Sequence, residues 1–234
     1  MPHNKKTKIV ATLGPATSTK ETLTQMAAAG VNVFRINFSH ADYEDVKERV
    51  KIIRQINEEN GYNVAILADL QGPKLRVGVM EEGVQVNSGD LFTFTTEKCI
   101  GTNKKAFMTY QRFPKDVKVG ENILVDDGKL LFEVVSTDLD KEVVVKVIVG
   151  GPLNSKKGVN LPNTDISLPA LTEKDKEDAV FALGLNVDWM ALSFVRNPED
   201  LIMLRDLIAK HSEYRVPVIA KIEKPEAVAN IDTL

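Results

Sequence analysis

The stretch "LADLQGPKLRV", residues 67–77, ends an apolar run (Val64-Ala65-Ile66-Leu67-Ala68) on a carboxylate, Asp69, turns at Gly72-Pro73 and returns two cations, Lys74 and Arg76. An apolar run of this length bounded by a Gly-Pro corner reads as a buried strand. A charge at the end of such a strand is costly unless it meets a partner. What lies on either side of the stretch decides which kind of sheet the strand belongs to.

Upstream, strand and helix signals alternate. Lys8–Thr12 is a short β-branched run ending at Gly14-Pro15. Ser18 or Thr19 then caps a helix with Leu23, Met26 and Ala27 at helical spacing, closed by Gly30. Val31–Phe38 reads as a second strand. Asp42–Glu59 reads as an amphipathic helix with Val46, Val50, Ile53 and Ile56 on one face, and Asn63–Asp69 as the third strand. Downstream the rhythm changes. From about Gly72 to Asn163 no helix of useful length is expected. Strand-like segments (Gly83–Val86, Leu91–Thr95, Asn122–Val125, Lys129–Val135 and Glu142–Val149) are instead separated by turns such as "NSGD" and "DDGK". The α/β rhythm then resumes. Thr172 with Asp175 forms a capping-box-like start to a helix running to about Leu185. Asp188–Phe194 is a fourth strand, Asn197 with Pro198 opens a helix to about Lys210, Val216–Glu223 is a fifth strand, and a further helix starts near Pro225.

Three segments are therefore expected: 1–72 with strands one to three, an all-β insert at 73–163, and 164–234 with strands four and five. Alternating strands and helices indicate a parallel sheet. Five strands suit either a doubly wound sheet or the first five strands of a (β/α)8 barrel. The last helix has barely begun at Leu234, so the chain reads as a fragment.

Composition narrows the function classes. The chain has 234 residues, 43% hydrophobic and 27% charged, with a formal net charge of −3, which argues against a nucleic-acid binder with a strongly basic face. Cys99 is the single cysteine, so no internal disulfide forms and a reducing compartment fits. The start "MPHNKKTKIV" lacks an apolar signal core, and no stretch has the length of a membrane span. A cytoplasmic protein without nucleic-acid or membrane partners is expected.

In α/β sheets, chemistry gathers at the carboxyl ends of the strands. Strand two ends Arg35-Ile36-Asn37-Phe38-Ser39-His40, strand three on Asp69, strand four on Ser193-Phe194-Val195-Arg196, and strand five on Lys221-Ile222-Glu223. Strand alternation puts Arg35, Asn37 and Ser39 on one face and Phe34, Ile36 and Phe38 on the other. Each pattern has a plainer reading on its own: Lys221-x-Glu223 as a surface ion pair, the strand-two residues as an internal hydrogen-bond network, His40 as a loop residue. Together they supply anion binders (Arg35, Arg76, Lys221), a carboxylate for a divalent metal (Glu223) and hard oxygen donors (Asn37, Ser39, Asp69). That set suits phosphoryl transfer, in which positioning and charge neutralisation do most of the work. There is no Walker A motif, no G-x-G-x-x-G, no His/Cys metal cluster and no G-x-S-x-G.

The segments "TKIVATLGPAT" (7–17), "NVFRINFSH" (32–40), "LADLQGPKLR" (67–76), "VDDG" (125–128), "SKKGVNLP" (155–162), "LPALTEKD" (168–175) and "AKIEKPEAVANID" (220–232) resemble the pyruvate kinase family, in order and at compatible spacing, over essentially the whole chain. The resemblance implies an α/β fold: a partial (β/α)8 TIM barrel, strands 1–5, with an all-β lid inserted after strand 3. It implies transfer of the phosphoryl group of phosphoenolpyruvate to ADP in glycolysis, giving pyruvate and ATP, with Mg²⁺ as cofactor and a homotetrameric complete enzyme. It further implies that Arg35 holds the phosphoryl group, that Lys221 stabilises the transition state and that Glu223 ligates Mg²⁺. Asn37, Phe38, Ser39, His40, Arg76 and Lys157 would contact the nucleotide. Asp127, in the "VDDG" turn, is a weaker carry-over.

Asn37, Ser39, Asp69 and the carbonyl of Leu70 match the family's monovalent-cation site. Here the chain departs from the commoner pattern: Leu70 stands where Thr is usual, Gln71 where Lys is, and Lys74 where Glu is. In the family, Lys at that position goes with independence from K⁺, and a tethered ammonium can supply the same charge. K⁺ is therefore expected not to be required. The resemblance also implies a second Mg²⁺ carboxylate and a substrate-binding Thr at positions beyond residue 234, so the chain alone is expected to show little activity. A non-catalytic nucleotide-binding or interaction module is the alternative; a different barrel enzyme acting on phosphoenolpyruvate or pyruvate is disfavoured by the insert and its "SKKGVNLP".

Overall fold

A computed structural model describes residues 6–234; of these, the side chain of His40 lies outside the described part. In chain order the elements are β1 (Val10–Thr12), α1 (Lys20–Ala28), β2 (Val33–Asn37), α2 (Tyr43–Asn60), β3 (Ala65–Asp69), β4 (Leu75–Arg76), β5 (Gln85–Val86), β6 (Leu91–Thr95), β7 (Lys105–Phe107), α3 (Phe113–Asp116), β8 (Asn122–Val125), β9 (Leu130–Thr137), β10 (Glu142–Val149), β11 (Gly151–Pro152), β12 (Gly158–Asn160), α4 (Glu173–Gly184), β13 (Trp189–Leu192), α5 (Pro198–His211), β14 (Val218–Ala220) and α6 (Pro225–Ala229). Short 3₁₀ turns lie at Pro15–Thr17 and Phe38–His40. None of the described helices is long and apolar enough to cross a membrane.

The chain forms two compact units, one of residues up to Pro73 together with Pro169–Leu234, the other of Lys74–Leu168. In the first, five parallel strands run in the order β1-β2-β3-β13-β14. This is the strand–helix succession of the first five strands of a (β/α)8 barrel. Its core takes one face of the helices (Leu23, Val50, Ile53, Ile56, Leu204) and the apolar side of the strands (Phe34, Ile36, Ile66, Ala68, Met190, Leu192). Side-chain caps start four of this unit's helices: Thr19 accepts from Thr22 N, Asp42 from Glu44 N and Asp45 N, Thr172 from Asp175 N in a full capping box, and Asn197 from Asp200 N.

The strands are shorter than the apolar runs suggest. The second stops at Asn37, and Phe38 to His40 turn into the 3₁₀ segment, so Ser39 does not continue the alternation that begins at Arg35. The fifth runs only over Val218–Ala220. Asp175 is fully buried and accepts hydrogen bonds from Gly72 N (3.1 Å) and Thr172 N (3.0 Å). One carboxylate thus ties the end of the chain's outward path to the start of its return. Gly72 has φ +69, and a Cβ there would come within 2.8 Å of the Phe194 ring, so no other residue fits.

In the second unit, seven strands run β4-β12-β8-β9-β10-β6-β7. Gly78 N donates to Phe107 O (2.8 Å) and Thr109 N to Arg76 O (3.0 Å), joining the two ends of that order so that the sheet closes on itself and hides its edges. Phe92, Phe94, Phe113 and Phe132 fill the interior; Phe94 meets the other three at centroid distances of 5.1, 6.0 and 5.3 Å. Four strands absent from the sequence reading (β4, β7, β11, β12) span two or three residues each, too few for a period to register. The unit also reaches Leu168 rather than residue 163. Thr164 Oγ1 donates to Glu121 (2.6 Å), Ile166 is in its core, and Ser167 donates to Asp116.

Phe94→Ala removes a fully buried ring with three aromatic neighbours and is expected to destabilise the second unit by about 3–5 kcal/mol. Urea titration followed by far-UV circular dichroism should show an earlier transition. The single tryptophan, Trp189, lies in the first unit, and its fluorescence transition should stay in place.

Candidate active site

Four of the side chains singled out in the sequence meet at the carboxyl ends of the parallel strands. Asp69 closes β3 with its side chain 3% exposed. Arg35 on β2 reaches it with two nitrogens: Nε donates to Oδ2 at 2.7 Å and Nη2 forms an ion pair with the same oxygen. Lys221, just after β14, hydrogen-bonds Oδ2 at 3.2 Å and lies 3.0 Å from Oδ1. Lys221 Nζ is also 3.7 Å from Glu223 Oε1. Asp69 Oδ2 is therefore crowded. Oδ1 is buried and, apart from the ion contact, has no hydrogen-bond partner among the described residues.

The register explains the convergence. Asn37 pairs with Asp69 across β2 and β3, which puts Arg35 one pleat back on the same face. Ala191 pairs with Asp69 from β13, and Lys221 has to cross β13 from the far side of it. A methyl group at Ala191 leaves the path open. The cations are part-exposed, each with a side chain 28% accessible, so they face the strand mouth while neutralising a carboxylate behind them.

Glu223 is 39% exposed; its Oε2 accepts from Phe194 N at 3.1 Å. Phe194 has φ +57, the conformation that turns this N–H toward the carboxylate. Glu223 thus has a fixed orientation and oxygen lone pairs left over. The described residues hold no group of three or more His, Cys, Asp or Glu side chains arranged for a metal ion. A Mg²⁺ ion needs fewer: it is commonly held by one or two carboxylates, with water and substrate oxygens completing the shell. Glu223 fits that role.

Of the oxygens read as a monovalent-cation pocket, those of Asp69, Asn37 and the Leu70 carbonyl have protein contacts. Asn37 Oδ1 caps the 3₁₀ turn by accepting from Ser39 N at 3.1 Å. The Leu70 carbonyl accepts from Ser193 Oγ at 2.6 Å, in a buried setting. Ser193 stood at a strand end in the sequence without a role; the structure makes its hydroxyl the anchor of the Leu70 carbonyl. The turn at 38–40 is braced from α4, where Lys174 Nζ donates to Phe38 O (3.1 Å) and to the buried Asp178 (2.5 Å). Asp178 also accepts from Tyr43 (2.8 Å). Partial burial first, and the Asp178 carboxylate second, push the Tyr43 phenol up to about 12.

In the second unit, Arg76 and Lys157 lie together. Arg76 pairs with Gly158 across β4 and β12, and its Nη1 donates to Lys156 O at 2.9 Å. Lys157 Nζ contacts Asp126 Oδ1 at 2.9 Å. Hydrogen bonds from Lys157 and then Lys129 hold the Asp126 carboxyl below its usual range. It is Asp126 that takes Lys157 in the "VDDG" turn; Asp127, like Asp126, has a positive φ (57 and 54). Lys74 is exposed and passes over Gly158, where a Cβ would lie 3.8 Å from Lys74 Cε.

Because Asp69 has two cations, losing one should be tolerated and losing both should strand a buried charge. In a thermodynamic cycle, Arg35→Met and Lys221→Met are expected to be synergistic, the double variant losing about 1–3 kcal/mol more than the sum of the singles. Strict additivity in denaturant titrations would show that the two do not share Asp69.

A profile of the family described as pyruvate kinase, barrel domain, matches residues 4–234. The chain is 44% identical over 232 residues to a protein named pyruvate kinase from Corynebacterium glutamicum, covering 99% of this chain and 48% of that one. It is 47% identical over 238 residues to pyruvate kinase 2 from Synechocystis, covering 100% and 40%, and 43% identical to a pyruvate kinase from Bacillus licheniformis, covering 98% and 40%. The chain spans about half the length of the curated relatives it matches. With a family match across nearly its whole length, and strand-end cations gathered on a buried carboxylate, the chain belongs to the pyruvate kinase barrel-domain family.

Proposed function

We propose that this chain carries catalytic groups of a pyruvate kinase, moving the phosphoryl group of phosphoenolpyruvate to ADP with release of pyruvate and ATP. The observation that carries the reading is the convergence of Arg35 and Lys221 on Asp69, with Glu223 beside Lys221. Such a transfer has little covalent chemistry for the protein to perform; it requires an in-line arrangement and fixed positive charge around the moving group. Arg35, pinned at Asp69, offers its remaining N–H groups to the phosphoryl oxygens. Lys221 is a compact ammonium held by Asp69 at the same mouth, suited to charge that develops on the phosphoryl group and on the enolate oxygen it leaves. Glu223 would hold Mg²⁺, which when bound supplies neutralisation of the phosphoryl and carboxylate oxygens. Asn37, Phe38, Ser39 and His40, with Arg76 and Lys157, are assigned to the nucleotide. Closure of the β unit as a lid, excluding water, belongs to the same reading, as do a cytoplasmic location and a tetrameric complete enzyme.

Lys74 is assigned the charge that relatives take from K⁺. The sequence supports this reading at Leu70, which brings no hydroxyl to complete a free ion's shell. Lys74 makes no ion pair among the described residues, which leaves its charge uncommitted.

In a coupled assay on the longest native polypeptide carrying these residues, Lys221→Met is expected to lower kcat by about 10²–10³-fold. The fold should survive, because Arg35 still neutralises Asp69. Glu223→Gln should raise the Mg²⁺ needed for half-maximal rate by at least the roughly 10–100-fold typical of groups that only orient metal ligands. Near-native rates in both variants would overturn the assignment. For Lys74, the rate should be unchanged between Na⁺, K⁺ and a bulky organic cation at equal ionic strength; a strong K⁺ requirement would sink the idea.

A further inference from the structure

Thr12 closes β1 and pairs directly with Arg35 of β2, so the two side chains leave the sheet on the same face as neighbours. Arg35 Nη1 donates to Thr12 Oγ1 at 2.8 Å. On the other side of the same guanidinium, Nε and Nη2 are held by Asp69.

We infer that Thr12 is a positioning residue for phosphoryl binding, holding the Arg35 guanidinium in the plane from which it grasps the substrate's oxyanion. A guanidinium has five N–H donors in a rigid fork. Asp69 takes the Nε–H and holds Nη2 in an ion pair, and Thr12 takes one N–H of Nη1. Each terminal nitrogen keeps at least one N–H outside those hydrogen bonds, and one from each is what a bidentate oxyanion contact needs. Asp69 alone fixes one edge of the fork and leaves the group free to pivot about that edge. The Thr12 hydroxyl supplies the second point and stops the pivot. The hydroxyl accepts from Arg35 and is itself exposed at the strand mouth, so it costs no burial and adds nothing to the core. Its use is directional.

The inference rests on the reading of Arg35 as the phosphoryl ligand, and the experiment separates the two. Thr12→Val keeps the shape and removes the hydroxyl; Thr12→Ser keeps the hydroxyl. Steady-state kinetics are measured for both substrates on the longest native polypeptide carrying this chain, with inorganic phosphate titrated calorimetrically as an oxyanion probe. Thr12→Val is expected to raise KM for phosphoenolpyruvate, and Kd for phosphate, about tenfold. KM for ADP and the melting temperature should be unchanged, and Thr12→Ser should behave as wild type. Equal effects on both substrates, an unchanged KM in Thr12→Val, or a Thr12→Ser as impaired as Thr12→Val would overturn the role of Thr12 while leaving the function standing. A wild-type polypeptide with no turnover of phosphoenolpyruvate would overturn the function and this inference together.

Discussion

A carboxylate as deeply buried as Asp69 needs cations against it, and this requirement organises the mouth of the sheet. Arg35 comes from the neighbouring strand and Lys221 from two strands away, across a position held by Ala191. The same contacts that neutralise Asp69 fix where the two cations point. A site for a multiply charged anion needs positive groups that do not drift, and long flexible side chains drift unless something behind them holds on. In this protein the holding group is anionic and inaccessible, and the held groups keep part of their surface open to the strand mouth.

Around that centre, other contacts do quieter work. Ser193 anchors the Leu70 carbonyl, Phe194 presents its N–H to Glu223 from a left-handed conformation, and Lys174 braces the turn that follows β2. Each contact joins two different strand ends or a helix to a strand end. Local error at one terminus is therefore checked by the next, which is how a set of loops attains the definition of a strand.

The order of strands and helices could be read from the chain because it depends on local signals: Thr172 with Asp175, Asn197 before Pro198, and the apolar stripe of Val46, Val50, Ile53 and Ile56. The strand-end charges were visible for the same reason. Asp69 as a common partner was not, because the sequence shows a carboxylate and two cations but not the sheet order that brings Lys221 back to β3. Ser39 was misplaced on the strand face because alternation carries no mark of where a strand stops; Asn37 ends it by capping the following turn. In the β unit the two-residue strands have no period, and closure depends on pairs such as Gly78 with Phe107 that lie far apart in the chain. Thr12 was hidden by its ordinariness, since a threonine ending a strand calls for no explanation until its partner is seen.

Asp175 has a consequence for the history of the chain. It accepts from Gly72 on the way out and from Thr172 on the way back, and both bonds are internal to the parallel-sheet unit. The sheet unit thus closes its own backbone at the branch point, and whatever is inserted there inherits a finished socket. Longer inserts cost little extra closure entropy. Such a junction lets the inserted module be lengthened, replaced by an unrelated fold or excised over evolutionary time while the strand ends on the sheet keep their register.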